Sequence, residues 1–354
     1  MTAFWNEADF DDHECVHFVH EPAIGLTAII ALHSTHLGPG GGGTRFWHYA
    51  DPAGAMKDAL RLSRGMSYKN AMAGLPMGGG KGVIMAGPER TKSPDMLAAY
   101  GRAIETLGGR YVTAEDVGMS EADMLEIWDE TDHVSGLPVN DGFAGGDPGP
   151  FTAYGIYLGI KAAVAHRLGK NTVDGVHIAL QGAGSVGSGV ARLLAQDGAR
   201  LTVADIFEDK ARALAEEVDG KSVPADAIMT TACDVFSPNA LGAILDPDSI
   251  AVLDCAIVAG GANNQLAQAG HGALLAAREI LYAPDYVINA GGIIDVALEY
   301  LGRRAGKPNR VEDVNARIEQ IPGRLHSIWE EAGSSGESPD VVADRMAQRL
   351  IGRG

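Results

Sequence analysis

The apolar run Val176–Gln181 passes without interruption into Gly182-Ala183-Gly184-Ser185-Val186-Gly187, and Val190–Leu194 follows at helical spacing. A strand that turns on glycine straight into a helix commits this part of the chain to a βαβ unit, and hence to a parallel sheet covered by helices. The first glycine permits the tight turn, the second lets a pyrophosphate approach the backbone, and the third lets helix pack on strand. The first helical turn leaves N–H groups free for phosphate oxygens. At the end of the next expected strand, Leu201–Ala204, stands Asp205, 205 − 182 = 23 residues beyond the first glycine. An acid at that distance accepts hydrogen bonds from the ribose hydroxyls and repels a 2′-phosphate, which favours NAD over NADP. The glycine pattern alone also fits a plain tight turn, and Asp205 a solvated strand end. Strand, helix and acid in one unit favour a dinucleotide site at Gly182, Ala183, Gly184, Ser185, Val186, Gly187 and Asp205.

Around this unit the pattern continues. Cys233–Phe236, Ala251–Val258 and Tyr286–Asn289 read as further short strands, with helices at Thr152–Ala165 and Lys210–Val218. The stretch 136–150, GLPVNDGFAGGDPGP, lacks apolar periodicity and reads as a hinge between two domains. Upstream of it, 14–20 and 25–33 form an expected hairpin, and Ala53–Arg64 a helix with Gly65 as its stop. The glycine runs Gly38–Gly43 and Gly78–Gly80 read as loops, with helices over 97–107 and 121–131 and a strand over 111–114. The tail from Val311 is helical. At 354 residues the chain exceeds one ordinary core, so two domains are expected. The net charge of −18 opposes binding of nucleic acid through the overall field. No run approaches the roughly 20 apolar residues of a membrane helix. The acidic start Met1–Glu14 shows no secretory pattern, and three widely spaced cysteines (Cys15, Cys233, Cys255) form no C-x-x-C pair. A cytoplasmic protein without a disulfide framework is expected. His13, Cys15 and His17 share a strand face but have no carboxylate partner, so no metal site is expected.

The first half holds a second constellation: Lys69 in GMSYKN and Lys81 in GGGKG, 81 − 69 = 12 residues apart. Glycine on both sides of Lys81 is expected to clear space around its ammonium. Two neighbouring cations lower each other's pKa, as does burial, so one lysine can fix a carboxylate while the other serves as a base. Solvated loop lysines are the plainer alternative. Glu115 and Asp116 follow an expected strand, and side-chain alternation lets only one of them face such a site. A capping role for the next helix is the alternative here.

The chain resembles the Glu/Leu/Phe/Val amino-acid dehydrogenases, most closely the leucine and phenylalanine enzymes. The segments that carry the resemblance are LGPGGGGTR (37–45), DALRLSRGMSYKNA (58–71), LPMGGGKGVI (75–84), GRYVTAEDVG (109–118), TAYG (152–155), GAGSVG (182–187), CDVFSPNALGA (233–243), VAGGANNQL (258–266) and YAPDYVINAGGIIDVA (282–297). They stand in family order over nearly the whole chain. The resemblance implies an α/β fold of two domains separated by a cleft. Residues 1–146 would form a substrate-binding and oligomerisation domain, to which the C-terminal helix 325–354 returns; residues 147–324 would form a Rossmann domain for NAD. It implies a cytoplasmic homo-oligomer, dimer to octamer, that converts an L-amino acid, NAD+ and water to a 2-oxo acid, ammonia and NADH. Lys69 would pair with the substrate carboxylate, Lys81 would be general base, and Asp116 would exchange a proton with the amine. Asn263 would help hold the carboxylate. Thr152 would touch the nicotinamide amide, and Ala240 and Leu241 would line the cofactor groove.

The family's side-chain pocket maps to Gly41, Met66, Ala114, Glu115, Ile293 and Val296. Where leucine dehydrogenases carry leucine in GPALGG, this chain has Gly41, which implies room for a larger side chain, with Ile293 placed to refill part of it. The apolar pocket disfavours glutamate. A non-catalytic NAD- or amino-acid-binding sensor on the same fold is the rival reading, disfavoured because Lys69, Lys81 and Asp116 are all present. A 2-hydroxy-acid dehydrogenase would need a catalytic histidine, which these segments lack.

Overall fold

The computed structural model describes residues 4–140 and 142–354. Met1–Ala3, part of the N-terminal stretch read above, and Asp141, within the expected hinge, lie outside the described residues. The chain forms two compact units. One comprises the chain up to Asp147 together with Ile293–Asp313 and Met346–Gly354; the other comprises Pro148–Gly292 and Val314–Arg345.

The first unit begins with the antiparallel strands β1 (Cys15–Glu21) and β2 (Leu26–Ser34), joined through a turn that closes on Gly25 at φ 71°. Then come β3 (Gly40–Gly41), β4 (Thr44–Trp47), α1 (Pro52–Met72), β5 (Gly78–Met85), α2 (Pro94–Glu105), β6 (Tyr111–Val112) and α3 (Glu121–Trp128). The sheet order is β1-β2-β5-β3-β6, with β4 also on β5; β5 runs antiparallel to β2 and parallel to β3 and β4. Alternation along β2 divides the core. Ile29 and Ala31 join Val83 beneath Ala55, Ala59 and Leu60 of α1. Ile30 and Leu32 pack on the other face with Leu97, Tyr100 and Ile104 of α2 and Met124 and Ile127 of α3.

Two expectations are corrected here. Gly65 does not stop α1, which runs a further seven residues to Met72. The stronger signal is the start: Asp51 Oδ1 accepts from Ala53 N at 2.9 Å, with Pro52 in the first turn. Both glycine runs contain strand rather than loop. A Cβ on Gly79 would collide with Ser67 of α1, while Cβ atoms on Gly80 and Gly82 would collide with Tyr111 and Tyr100 on the opposite face. Missing side chains let helix and tyrosines close onto β5.

The second unit contains α4 (Gly149–Leu168), β7 (His177–Gln181), α5 (Ser185–Gln196), β8 (Arg200–Ala204), α6 (Glu208–Glu217), β9 (Lys221–Ser222), β10 (Val235–Pro238), α7 (Pro247–Val252), β11 (Ile257–Val258), α8 (His271–Ala277), β12 (Leu281–Tyr282) and α9 (Asp285–Ile288). Its strands are all parallel in the order β12-β11-β10-β7-β8-β9. The chain works outward from β7 and then returns to β10, so the order reverses between these two strands, and ligands of such sheets bind outside the carboxyl ends at that point. Ala251–Val258 is not one strand: the box Asp246…Ser249 and Pro247 start α7, and only Ile257–Val258 extends. Tyr286–Asn289 is also corrected, because Asp285–Ile288 forms α9 after Pro284. The apolar run Tyr286–Ile288 is too short to carry a periodicity that separates strand from helix.

The remaining helices are α10 (Gly291–Arg304), α11 (Val311–Ile318), α12 (Ile321–Ser335) and α13 (Pro339–Leu350). The expected return of 325–354 to the first domain is corrected. α12 belongs to the second unit, where Ile321 and Leu325 meet Gly155 and Gly159 of α4, and Trp329 Nε1 donates to Tyr282 O at 2.9 Å. Only Met346–Gly354 and the stretch Ile293–Asp313 rejoin the first unit.

Candidate active site

Lys81 stands mid-strand in β5, opposite Ala31 of β2, and is only 5% exposed. Alternation turns it with Gly79 and Val83 toward the α1 face. The flanking glycines therefore make room for the tyrosines on the far side, not for the ammonium. The Lys81 Nζ lies 2.7 Å from Asp116 Oδ2. Asp116 follows β6, and of the adjacent acids it alone turns inward; Glu115 is exposed. Lys69 is half-buried on the last turn of α1, a helical position rather than a loop.

Arg45, Asp58 and Tyr49 complete the cluster, and reading the sequence for acid–base residues missed all three. Arg45 Nε donates to Asp116 Oδ2 at 3.0 Å and Nη1 to Asp58 Oδ2 at 2.8 Å. Tyr49 Oη donates to the same Asp58 oxygen at 2.9 Å, and Arg61 Nη2 to Asp58 Oδ1 at 3.3 Å. The only signal in the sequence was Arg45 at the end of one family segment and Asp58 at the start of another. Burial lowers the Lys81 pKa most; Asp116 opposes this, Arg45 adds to it, and the net shift is downward. Burial pushes Asp116 up, but the charges of Lys81 and Arg45 prevail and hold it below the usual carboxylate range. The pair is thus an ionised carboxylate against a lysine that gives up its proton more readily than usual.

Of the residues mapped to a side-chain pocket, Glu115 is charged and exposed, and the others carry no polar side chain. Ala114 is buried; Met66 is half-buried and near Gly42; Ile293 and Val296 share one half-buried face of α10 at i, i+3 spacing. The space beside Gly41 is occupied. A Cβ there would lie 2.6 Å from Met77 Cε, so the Met77 methyl stands where a side chain at 41 would begin. Met77 was not among the expected pocket residues.

In the second unit, Gly182 follows β7 at φ 100°, against Asn239. A Cβ on Gly187 would collide with Gly182 O, and none of the surrounding atoms approaches the Cβ position of Gly184. Gly184 caps α5 without a side-chain bond, so the first N–H groups of Ser185, Val186 and Gly187 face an open backbone cradle. Ala183 N donates to Asp205 Oδ2 at 2.7 Å and Phe207 N to Oδ1 at 2.9 Å. Each carboxylate oxygen keeps a lone pair for a ribose hydroxyl. Cradle and acid fit the phosphates and ribose of NAD. Exposed Leu241 and Ala240 follow β10, and Thr152 lies in the first turn of α4, its Oγ1 donating to Pro148 O at 3.0 Å. Asn263 Oδ1 accepts from Asn289 Nδ2 at 2.9 Å, which gives the buried Asn289 a supporting role the sequence did not reveal.

A reversing parallel sheet with this cradle in one unit, and a buried lysine–aspartate pair in the other, define the class: an NAD-dependent oxidoreductase of two α/β domains. Residues 13–133 match the pattern of the Glu/Leu/Phe/Val dehydrogenase dimerisation domain, and residues 202–349 that of Glutamate/Leucine/Phenylalanine/Valine dehydrogenase. The chain is 44% identical over 342 residues to the leucine dehydrogenase of Bacillus subtilis, covering 97% of this chain and 92% of that one. It is 42% identical over 347 residues to the valine dehydrogenase of Streptomyces virginiae, covering 97% and 95%. The crystal structure of L-tryptophan dehydrogenase from Nostoc punctiforme superposes with a TM-score of 0.85 at 40% identity, covering 96% of each chain. The chain belongs to the Glu/Leu/Phe/Val dehydrogenase family and is an NAD-dependent amino-acid dehydrogenase.

Proposed function

We propose that the protein catalyses the reversible oxidative deamination of an apolar L-amino acid to its 2-oxo acid and ammonia. The observation that carries this reading is the buried contact between Lys81 and Asp116. NAD, when bound at the Gly182–Gly187 cradle and Asp205, supplies the hydride acceptor. Lys69 fixes the substrate carboxylate as a cation, with Asn263 as a second donor. Asp116 takes a proton from the substrate ammonium, because Cα gives up hydride only beside a neutral amine. Lys81, once deprotonated, draws a proton from the water that attacks the imine carbon, and returns it when ammonia leaves. Its positive form then stabilises the negative charge that develops on oxygen. Gly41, Met66, Ala114, Ile293 and Val296 receive the side chain, and their apolar character favours leucine-, valine- or tryptophan-like substrates over glutamate.

The protein acts as a homo-oligomer built through its first unit, the region that matches a dimerisation domain. Cytoplasmic residence fits its three free cysteines. Among the described residues no helix is long and apolar enough to cross a membrane.

The test is NADH formation at alkaline pH from Leu, Val, Ile, Phe, Trp, Met, Glu and Ala, each with NAD+ or NADP+. Turnover of the apolar set with NAD+ is expected. Preference for Glu would overturn the pocket assignment, and NAD binding without turnover of any amino acid would point to the sensor reading.

A further inference from the structure

We propose that Arg45 is a positioning residue for this reaction: its guanidinium anchors the Asp116 carboxylate beside Lys81 and sets the pH at which Lys81 acts as base. The inference rests on the acid–base roles proposed above for Lys81 and Asp116.

The backbone places the groups. β4 runs parallel to β5 with Arg45 opposite Val83, and Lys81 lies two residues earlier on the same face of β5. Arg45 and Lys81 are therefore diagonal neighbours on one side of the sheet. Both reach the same atom: Asp116 Oδ2 accepts from Lys81 Nζ at 2.7 Å and from Arg45 Nε at 3.0 Å. A carboxylate held by one cation can swing about its own bonds; held by two on one oxygen, it keeps its direction. The other edge of the guanidinium is occupied by Asp58 of α1, which Tyr49 and Arg61 hold in turn. Arg45 thus braces the segment after β6 against α1, a span that a planar fork can bridge and a single ammonium cannot.

The charges give the second half of the argument. Asp116 comes from the segment after β6, Arg45 from β4, Tyr49 from the segment before α1, and Asp58 and Arg61 from α1. Asp116 and Asp58 both favour charged Lys81, whereas Arg45 opposes it. The Asp116 contact at 2.7 Å favours the protonated lysine, against the burial that does most to lower its pKa. Arg45 weakens that hold without removing the carboxylate that the amine needs.

The test is the pH dependence of kcat for a good apolar substrate in the unaltered enzyme and in R45Q, R45K and D58N, each checked for folding by its circular-dichroism melt. Activity rises with pH as Lys81 loses its proton. Arg45→Gln removes a charge that disfavours protonated Lys81, so the rising limb is expected to move to higher pH by roughly one unit. Asp58→Asn removes a charge that favours it, so the limb moves to lower pH. Arg45→Lys keeps the charge but not the fork, so the limb stays in place while kcat falls by about tenfold. Opposite shifts in R45Q and D58N support the proposal. Lower kcat with an unmoved limb in R45Q, or shifts of one sign in R45Q and D58N, overturns it and leaves the acid–base reading intact. If R45Q does not fold, the direction in D58N and the unmoved limb in R45K decide. An unaltered enzyme that turns over no amino acid refutes the underlying reading instead.

Discussion

Asp116 sits between two duties, and its neighbours show how both are met. Of the charges around Lys81, the Asp116 carboxylate does most to keep it protonated, while Lys81 and Arg45 keep Asp116 ionised. Asp116→Asn keeps the shape and removes the charge. Lys81 then loses its proton at lower pH, so the rising limb of kcat moves to lower pH. At the same time the maximum falls by about 10²–10⁴-fold, because the amine has no proton acceptor. A pH–rate profile reads both effects, and a fall in kcat without the shift would place Asp116 outside the field that Lys81 feels. Met77 raises a different question. Its methyl occupies the space that Gly41 was expected to open, so the glycine does not by itself enlarge the pocket. Met77→Ala should free that space and move the kcat/KM ratio of Trp over Leu upward by about tenfold or more. The truncation should also cost about 2–5 kcal/mol of stability. Met77→Leu, similar in volume, should leave the ratio near its starting value. An unchanged ratio in the alanine variant would mean that the substrate side chain does not reach Gly41.

At the scale of elements, β5 explains why the glycines, so visible in the sequence, were misread. Gly79, Gly80 and Gly82 are small because Ser67, Tyr111 and Tyr100 press on the strand from both faces, yet three glycines in a row carry no strand pattern. Gly65 is the reverse case: it is glycine in mid-helix with open space at its Cβ position. Two substitutions separate these environments. Gly65→Ala should stabilise the fold by about 0.5–1 kcal/mol through backbone entropy. Gly82→Ala must displace Tyr100 and Thr44, whose hydroxyls are 2.8 Å apart, and should cost about 1–3 kcal/mol. Urea midpoints check both, and equal effects would contradict the packing of β5. The legible parts were those with local signals. The turn from β7 into α5, the distance to Asp205 and the family segments around Lys69, Lys81 and Asp116 can all be read along the chain. The brace through Arg45 and Asp58 cannot, because it depends on the register of β4 on β5 and on α1 passing over both. The return of Ile293–Asp313 to the first unit likewise depends on packing across the chain, with no composition change to mark it.

Across the whole molecule, the last residues hold the first ones. Arg353 donates to Asp11 O at 2.6 Å and to Asp12 O and His33 O at 2.7 Å, and its Nη1 lies 2.7 Å from His33 Nε2. The same Nε2 lies 3.1 Å from Asp11 Oδ2, so a donor and an acceptor compete for it, while Nδ1 lies 2.8 Å from Ser67 Oγ. Protonating His33 would set its N–H against the Arg353 donor, with only the partly exposed Asp11 carboxylate to accept it. Burial, then the charges of Arg353 and His13, lower its pKa to about 4, although Asp11 pulls the other way. The unfolded chain, with an ordinary histidine near pH 6.5, binds more protons between these values, so stability rises with pH across that window. The contribution is present in full above about pH 6.5 and is lost as pH falls toward 4. For a fully buried imidazole it amounts to at most about 3 kcal/mol. Arg353→Met removes the donors and the charge, so His33 protonates more readily in the folded state. The variant should be less stable than the unaltered protein at pH 7.5 and should lose less on going to pH 5.0, so the two stability curves converge. Urea unfolding at the two pH values measures this directly. Parallel curves would show that the acid sensitivity of the fold lies elsewhere than in the closure of the C-terminus on His33.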